Sequence, residues 1–180
     1  GFTNSTDFYE ISKSINLSEE NNENFLIINI GFVFILCGLF FKIAVVPFHM
    51  WAPDVYEGSP TSITSFFSIV PKIAALTVFI RFLYVPFINL IDQWQMIIIF
   101  ISISSMIFGA VAAIGQNNIK RLMAYSSIGH MGFALAGLSI GTNEGIQSSI
   151  IYLLIYLVMN LGMFTCIFMM KRKNIFYENI

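Results

Sequence analysis

Three ionisable residues stand where hydrocarbon is the expected solvent: Lys42 in FKIAVVPFHMW, Lys72 in SIVPKIAALTVF and His130 in YSSIGHMGFAL. Groups of this kind can carry protons, because desolvation and a neighbouring acid or water move an amine or imidazole toward the point where it takes up and releases one. Each also has a plainer reading. Lys42 lies roughly six residues from the end of its apolar run, about 9 Å at ~1.5 Å per residue, a distance its stem covers by snorkelling. His130, some 15 Å into its run at the same rise, reads equally as a packing histidine. Lys72 is harder to excuse, since a charge in the middle of a run costs at least ~3 kcal/mol even on lenient insertion scales.

Neighbours at helical spacing sharpen the relay reading. Counting back from Lys72 gives Ser68, then Thr64 or Ser65, then Thr61, a polar stripe on an otherwise apolar segment. A later run repeats the pattern with Tyr152, Tyr156 and Asn160, and the run of His130 carries Lys120 and Ser127 on neighbouring faces. A row of hydroxyls and amides leading to a lysine can hold a chain of water molecules. The same residue types also serve as hydrogen-bond glue between membrane helices, and Ser102, Ser104, Ser105 and Gly109 read only that way. Pro47 and Pro71 remove the N–H groups that would reach the carbonyls of Ile43 and Phe67, so a helix break or weakened ladder is expected beside each lysine. Broken helices are tolerated at membrane depth where they line a cavity or are packed in protein.

The elements that must position these residues are membrane helices. The chain is 57% hydrophobic and 11% charged, with a mean hydropathy of +0.78, values that a soluble core of 180 residues could not hide. Five runs are long enough to span, at about 25–48, 61–84, 94–115, 119–140 and 147–170, joined by short Pro-, Gly- and Asn-punctuated loops. The expected fold is thus an all-α integral membrane bundle over 25–170, with a polar extramembrane lead-in at 1–24 and a basic tail at 171–180. One short amphipathic helix is expected around Asp7 to Ile15. Lys120, Arg121, Lys171, Arg172 and Lys173 fall on one side, which the positive-inside bias places toward the cytoplasm or mitochondrial matrix together with the C-terminus. A net charge of −1 without a basic face excludes nucleic acid as a partner. Cys37 and Cys166 sit in apolar runs with no second ligand nearby, which argues against a disulfide or metal site.

Two segments, FKIAVVPFHMWAPDVYEGSPTSITSFFSIVPKIAAL and GAVAAIGQNNIKRLMAYSSIGHMGF, resemble the antiporter-like membrane subunits of proton-pumping NADH:quinone oxidoreductase, respiratory complex I, with PDVYEG pointing to subunit 2, known as N in bacteria. TDFYEI near the start resembles the connection before that family's seventh helix, so the likeness extends over about residues 3–170. It implies an antiporter-like bundle with a discontinuous helix, in which Lys42 matches the lysine of the broken seventh helix, Lys72 the connecting lysine of the eighth and His130 the histidine of the tenth. Asp54 and Glu57 match loop acids with no assigned chemistry. Multisubunit sodium/proton antiporters share the fold.

The resemblance implies proton translocation without covalent chemistry, driven by redox reactions in other subunits. Lys42 would pair with a glutamate from outside this chain, and loss of that partner would drive its proton toward Lys72 and onward by way of His130, with Lys120, Ser68, Tyr156 and Asn160 in support. Neither a Gly-rich dinucleotide loop nor a cysteine cluster is present, so no cofactor is expected on the chain. The family has about fourteen helices and this chain offers five. The rest, including those equivalent to the first six, are expected from a second chain, beside other membrane-arm subunits and lipid. Richness in Phe, Ile, Asn and Tyr, as AT-rich coding gives, together with the lack of a targeting sequence, points to an organelle-encoded protein of the mitochondrial inner membrane, with a bacterial plasma membrane as the alternative. Two other functions fit the same residues: a structural subunit whose lysines neutralise buried acids, and a cation/proton antiporter subunit.

Overall fold

A computed structural model of the chain describes residues 5–18, 22–172 and 175–176. The remaining parts of the lead-in and of the basic tail, Lys173 among them, lie outside the described residues. Among the described residues seven α-helices follow in order: α1 Phe8–Ser18, α2 Asn22–Ile43, α3 Trp51–Gly58, α4 Thr61–Tyr84, α5 Ile91–Ile114 after a short 3-10 turn, α6 Ile119–Leu138 and α7 Asn143–Met169. Lys171–Arg172 pairs with Ile175–Phe176 in a two-residue antiparallel ladder. The architecture is an all-α membrane bundle. Thr61–Tyr84, Ile88–Ile114 and Asn143–Met169 are long and apolar enough to cross a bilayer, and Ile27–Ile43 is a shorter apolar helix. Absent from that set is α6, where Lys120, Arg121, Ser126, Ser127 and His130 dilute the apolar content. It is instead the central helix, packed against α3, α4, α5 and α7.

Local chemistry explains where the helices begin. The Asp7 carboxylate accepts the Tyr9 N–H at 3.0 Å, opening α1. The side chain of Asn118 accepts the N–H groups of Lys120 and Arg121 at the start of α6, and Thr142 accepts that of Gly145 at the start of α7. Ring packing docks the outer ends together: Phe32 lies 4.4 Å from Phe87 and 5.8 Å from Phe82, and Phe8 of α1 meets Phe82 edge-on at 6.3 Å. Glycine closes the α5–α6 seam, since a Cβ on Gly109 would lie 2.6 Å from the Gly129 nitrogen.

The first span differs most from its expected limits. A single run to 48 was expected, followed by a loop; α2 instead stops at Ile43, and a second helix occupies Trp51–Gly58. Between them the backbone turns at Ala44, which has φ 60°, and passes Pro47 through a cis peptide. Pro53 does not interrupt α3 because it falls in the first turn, where its missing N–H has no partner to lose. Of the two prolines expected to break helices, only Pro47 lies in a break. Pro71 sits inside α4, which runs on through it, since the bundle around a long helix can absorb one lost hydrogen bond.

Candidate functional site

The site assembles where α3, α4, α6 and α7 meet. On α4, Thr61, Thr64, Ser68 and Lys72 are all buried, so the polar stripe faces the bundle interior. Lys72 keeps 1% of its surface. Its Nζ donates to the Ser127 Oγ at 2.7 Å, and that hydroxyl in turn donates to the Ala124 carbonyl at 2.7 Å. The ammonium also lies 5.6 Å from the centre of the Tyr56 ring, inside the range of a cation–π contact. Among the described residues no carboxylate makes an ion pair with it.

The far side of the cluster is built by α7. Tyr156 donates its hydroxyl to the Ser68 carbonyl at 2.8 Å, and the Asn160 amide donates to the Tyr156 carbonyl at 2.9 Å. Its ring lies 5.4 Å from that of His130. The Nδ1 of His130 and the Tyr152 hydroxyl are 2.7 Å apart. Ser127 and His130 are one turn apart on α6, which sets them on one face of that helix. Lys72, Ser127, His130, Tyr152 and Tyr156 therefore form one polar cluster between four helices.

Lys42 and Lys120 lie outside this cluster. Lys42 ends α2 on an exposed surface, with no hydrogen bond or ion pair to it among those described. Its neighbour in the break is better held: the Val46 N–H donates to the Ser105 Oγ at 3.0 Å, and the Trp51 indole donates to the Phe41 carbonyl at 2.8 Å. Buried Lys120 donates to the Ser59 carbonyl at 3.0 Å, tying the start of α6 to the α3–α4 turn. Beside it, Arg121 bridges Glu57 at 2.8 Å and Asp54 at 2.9 Å, and Asn118 reaches Glu57 at 3.4 Å. The loop acids thus act as a clasp between α3 and α6.

One residue of the site was not among the sequence candidates. Tyr56 is completely buried, with its ring beside Lys72 and its hydroxyl beside Ser127. A tyrosine in what reads as a polar loop carries no signal; only its burial by α6 and α4 gives it a place beside Lys72.

Residues 1–179 match the sequence profile of the family described as NADH:quinone oxidoreductase/Mrp antiporter, transmembrane. The chain belongs to this antiporter-like family. Among its curated relatives, an NADH-quinone oxidoreductase subunit N of Pelagibacter ubique is 67% identical over the whole chain, and one of Parvibaculum lavamentivorans is 54% identical over the same length. The chain spans 37% and 36% of the lengths of these two antiporter-like proteins. Both relatives are bacterial, in line with the alternative and not with the organelle-encoded origin expected first. In the respiratory complex I of Thermus thermophilus a chain is 36% identical with a TM-score of 0.60, over 71% of this chain and 27% of that one. A chain of the Mrp complex from Dietzia has the same antiporter-like fold, with a TM-score of 0.76 over 85% of this chain and 28% of its own, at 22% identity.

Proposed function

We propose that this chain is part of a proton-translocating membrane subunit of an NADH-quinone oxidoreductase of the complex I kind. Lys42, Lys72 and His130 carry the proton, and the redox energy comes from other subunits, with no cofactor held on this chain. The observation that supports the reading best is the buried Lys72 bonded to Ser127 one helical turn from His130, with no carboxylate paired to it among the described residues. A permanently charged structural lysine would be expected to keep such a partner, because a buried unpaired charge is costly. Lys72 can be loaded and emptied; Ser127 and Tyr156 hold the site in place, and His130 takes the proton on.

Lys42 completes the relay from outside the cluster. Its exposed position at the helix break fits a lysine whose acidic partner comes from helices that the longer relatives carry beyond the matched region. The partners are those helices, the other membrane-arm subunits and lipid. With bacterial relatives, the membrane is the plasma membrane, and the C-terminus and the α3 end face the cytoplasm.

A structural role is favoured by a different observation: Thr64, Ser65 and Ser68 donate their hydroxyls to backbone carbonyls instead of to one another. Lys72→Met separates the two readings. In inverted membrane vesicles the relay reading expects an assembled complex whose NADH oxidation and proton uptake fall together by about tenfold or more, one power of ten for each ~1.4 kcal/mol of lost stabilisation. Lys72→Arg is expected not to rescue, since arginine keeps its proton. Wild-type turnover with wild-type protons per electron in Lys72→Met would leave only the structural role.

A further inference from the structure

The half-helix α3 has no role in the relay described above, yet it places an aromatic face against the charge that the relay needs. We propose that Tyr56 is a positioning residue for Lys72: its ring holds the ammonium at the α3 side of the cluster, so that the position of α3 decides when the proton leaves toward His130. This rests on the relay reading and extends it to a residue and an element that the reading does not use.

Three observations carry the proposal. The Tyr56 ring centre is 5.6 Å from the Lys72 Nζ, with both side chains buried, and the attraction between a cation and a ring face strengthens as water is removed. A ring attracts the ammonium and is nearly indifferent to the neutral amine, so it favours the loaded lysine over the emptied one. Second, the Tyr56 hydroxyl lies beside Ser127, the residue that accepts from the ammonium, so Tyr56 faces the lysine site with both its ring and its polar end. Its backbone is held as well, since the Tyr56 carbonyl accepts the Thr64 hydroxyl at 3.1 Å from the first turn of α4.

The third observation is that α3 is joined to the bundle in a way that permits displacement. On its α2 side lies the break at residues 44–50, and on its α6 side it is held by the small buried contact of Ala52 and Tyr56 with Ala124 and by the water-accessible clasp of Arg121 with Glu57 and Asp54. Its length is eight residues, about 12 Å at ~1.5 Å per residue. Moving α3 away from α4 withdraws the ring and leaves the ammonium with Ser127 alone. The proton then passes from the Lys72 Nζ to the His130 imidazole, which becomes imidazolium while the lysine becomes a neutral amine. Around this transfer the other titratable groups are Tyr152 and Tyr156 on α7, Lys120 on α6, and Lys42 on the outer surface of α2.

The test is a graded one in the assembled complex. Tyr56→Phe keeps the ring and is the reference for the series, and Tyr56→Leu, which removes the ring, is expected to fall about tenfold below Tyr56→Phe in NADH oxidation and in proton uptake together. Successive ring fluorines on the Tyr56→Phe protein drain the negative face without changing its shape, so coupled turnover should fall stepwise with each fluorine. In a Lys72→Met background the fluorine dependence should vanish. A flat fluorine series on an active Tyr56→Phe protein, beside a crippled Lys72→Met, overturns the Tyr56 proposal while leaving the relay intact. If Lys72→Met itself is unimpaired, the relay reading falls and the proposal falls with it. Should Tyr56→Leu fail to assemble, the fluorine series alone decides, because fluorination is close to isosteric.

Discussion

Lys42 and Lys72 belong to two packed helices of one bundle, and their surroundings are opposite. Lys72 keeps 1% of its surface and is met by Ser127 from α6 and Tyr56 from α3. Lys42 is exposed at the end of α2, beside a break whose buried residues turn away from it toward α5 and α3. Desolvation explains the contrast. A buried ammonium must find its compensation in the surrounding fold, so the neighbours of Lys72 come from this chain; an exposed one can wait for a partner brought by another segment. The two lysines therefore differ in who controls their charge.

The comparison breaks most visibly under charge reversal. Lys72→Glu is expected to lower coupled turnover about a hundredfold, the consequence of ~3 kcal/mol at membrane depth, and no compensating change in another segment should restore it. Lys42→Glu should also be impaired, but an acid-to-lysine substitution in the segment packed against it should recover activity. Recovery of Lys72→Glu by such a change, measured as NADH oxidation in vesicles, would erase the distinction.

A smaller effect comes from the hydrogen-bond partner. Ser127→Ala leaves the Lys72 ammonium without its hydroxyl, a loss of about 1–3 kcal/mol that should appear as roughly a tenfold drop in coupled turnover. Tyr156→Phe removes the bond to the Ser68 carbonyl and is expected to cost about 1 kcal/mol, read as a lower denaturant midpoint of the assembled complex. The smallest change is expected at the clasp. Arg121→Gln breaks two ion pairs whose acids reach solvent, Asp54 being 73% exposed, and turnover should change by about twofold or less. A larger loss at Arg121 than at Ser127 would move control of the site from the buried cluster to the clasped end of α3.

Much of this arrangement was legible in the chain. The stripe Thr61, Thr64, Ser68 and Lys72 follows helical spacing, and a run whose other faces are apolar can bury its polar face only inward. Tyr152, Tyr156 and Asn160 were readable for the same reason. Pro47 implied a break or weakened ladder beside Lys42, and the resemblance implied a discontinuous helix there. Pro47 and Pro71 look alike as residues, but only the segment of Pro47 has Ala44 in a left-handed turn and Ser105 ready to take the freed Val46 N–H. Tyr56 and Arg121 were illegible as members of the site, since WAPDVYEG reads as a loop until α6 lies across it.

The sequence by itself determined that the chain belongs in a membrane, that its helices carry polar stripes and that charges lie at membrane depth, because each follows from local composition and a period of 3.6 residues. Tertiary structure alone decided that Lys72 meets Ser127 and Tyr56 while Lys42 stays outside, that Pro47 marks a break while Pro71 does not, and that Asp54 and Glu57 clasp Arg121. These are contacts between residues tens of positions apart, such as the 55 that separate Lys72 from Ser127. Local pattern fixes which face a side chain takes on its own helix, but the helix that covers that face is chosen by packing across the whole bundle.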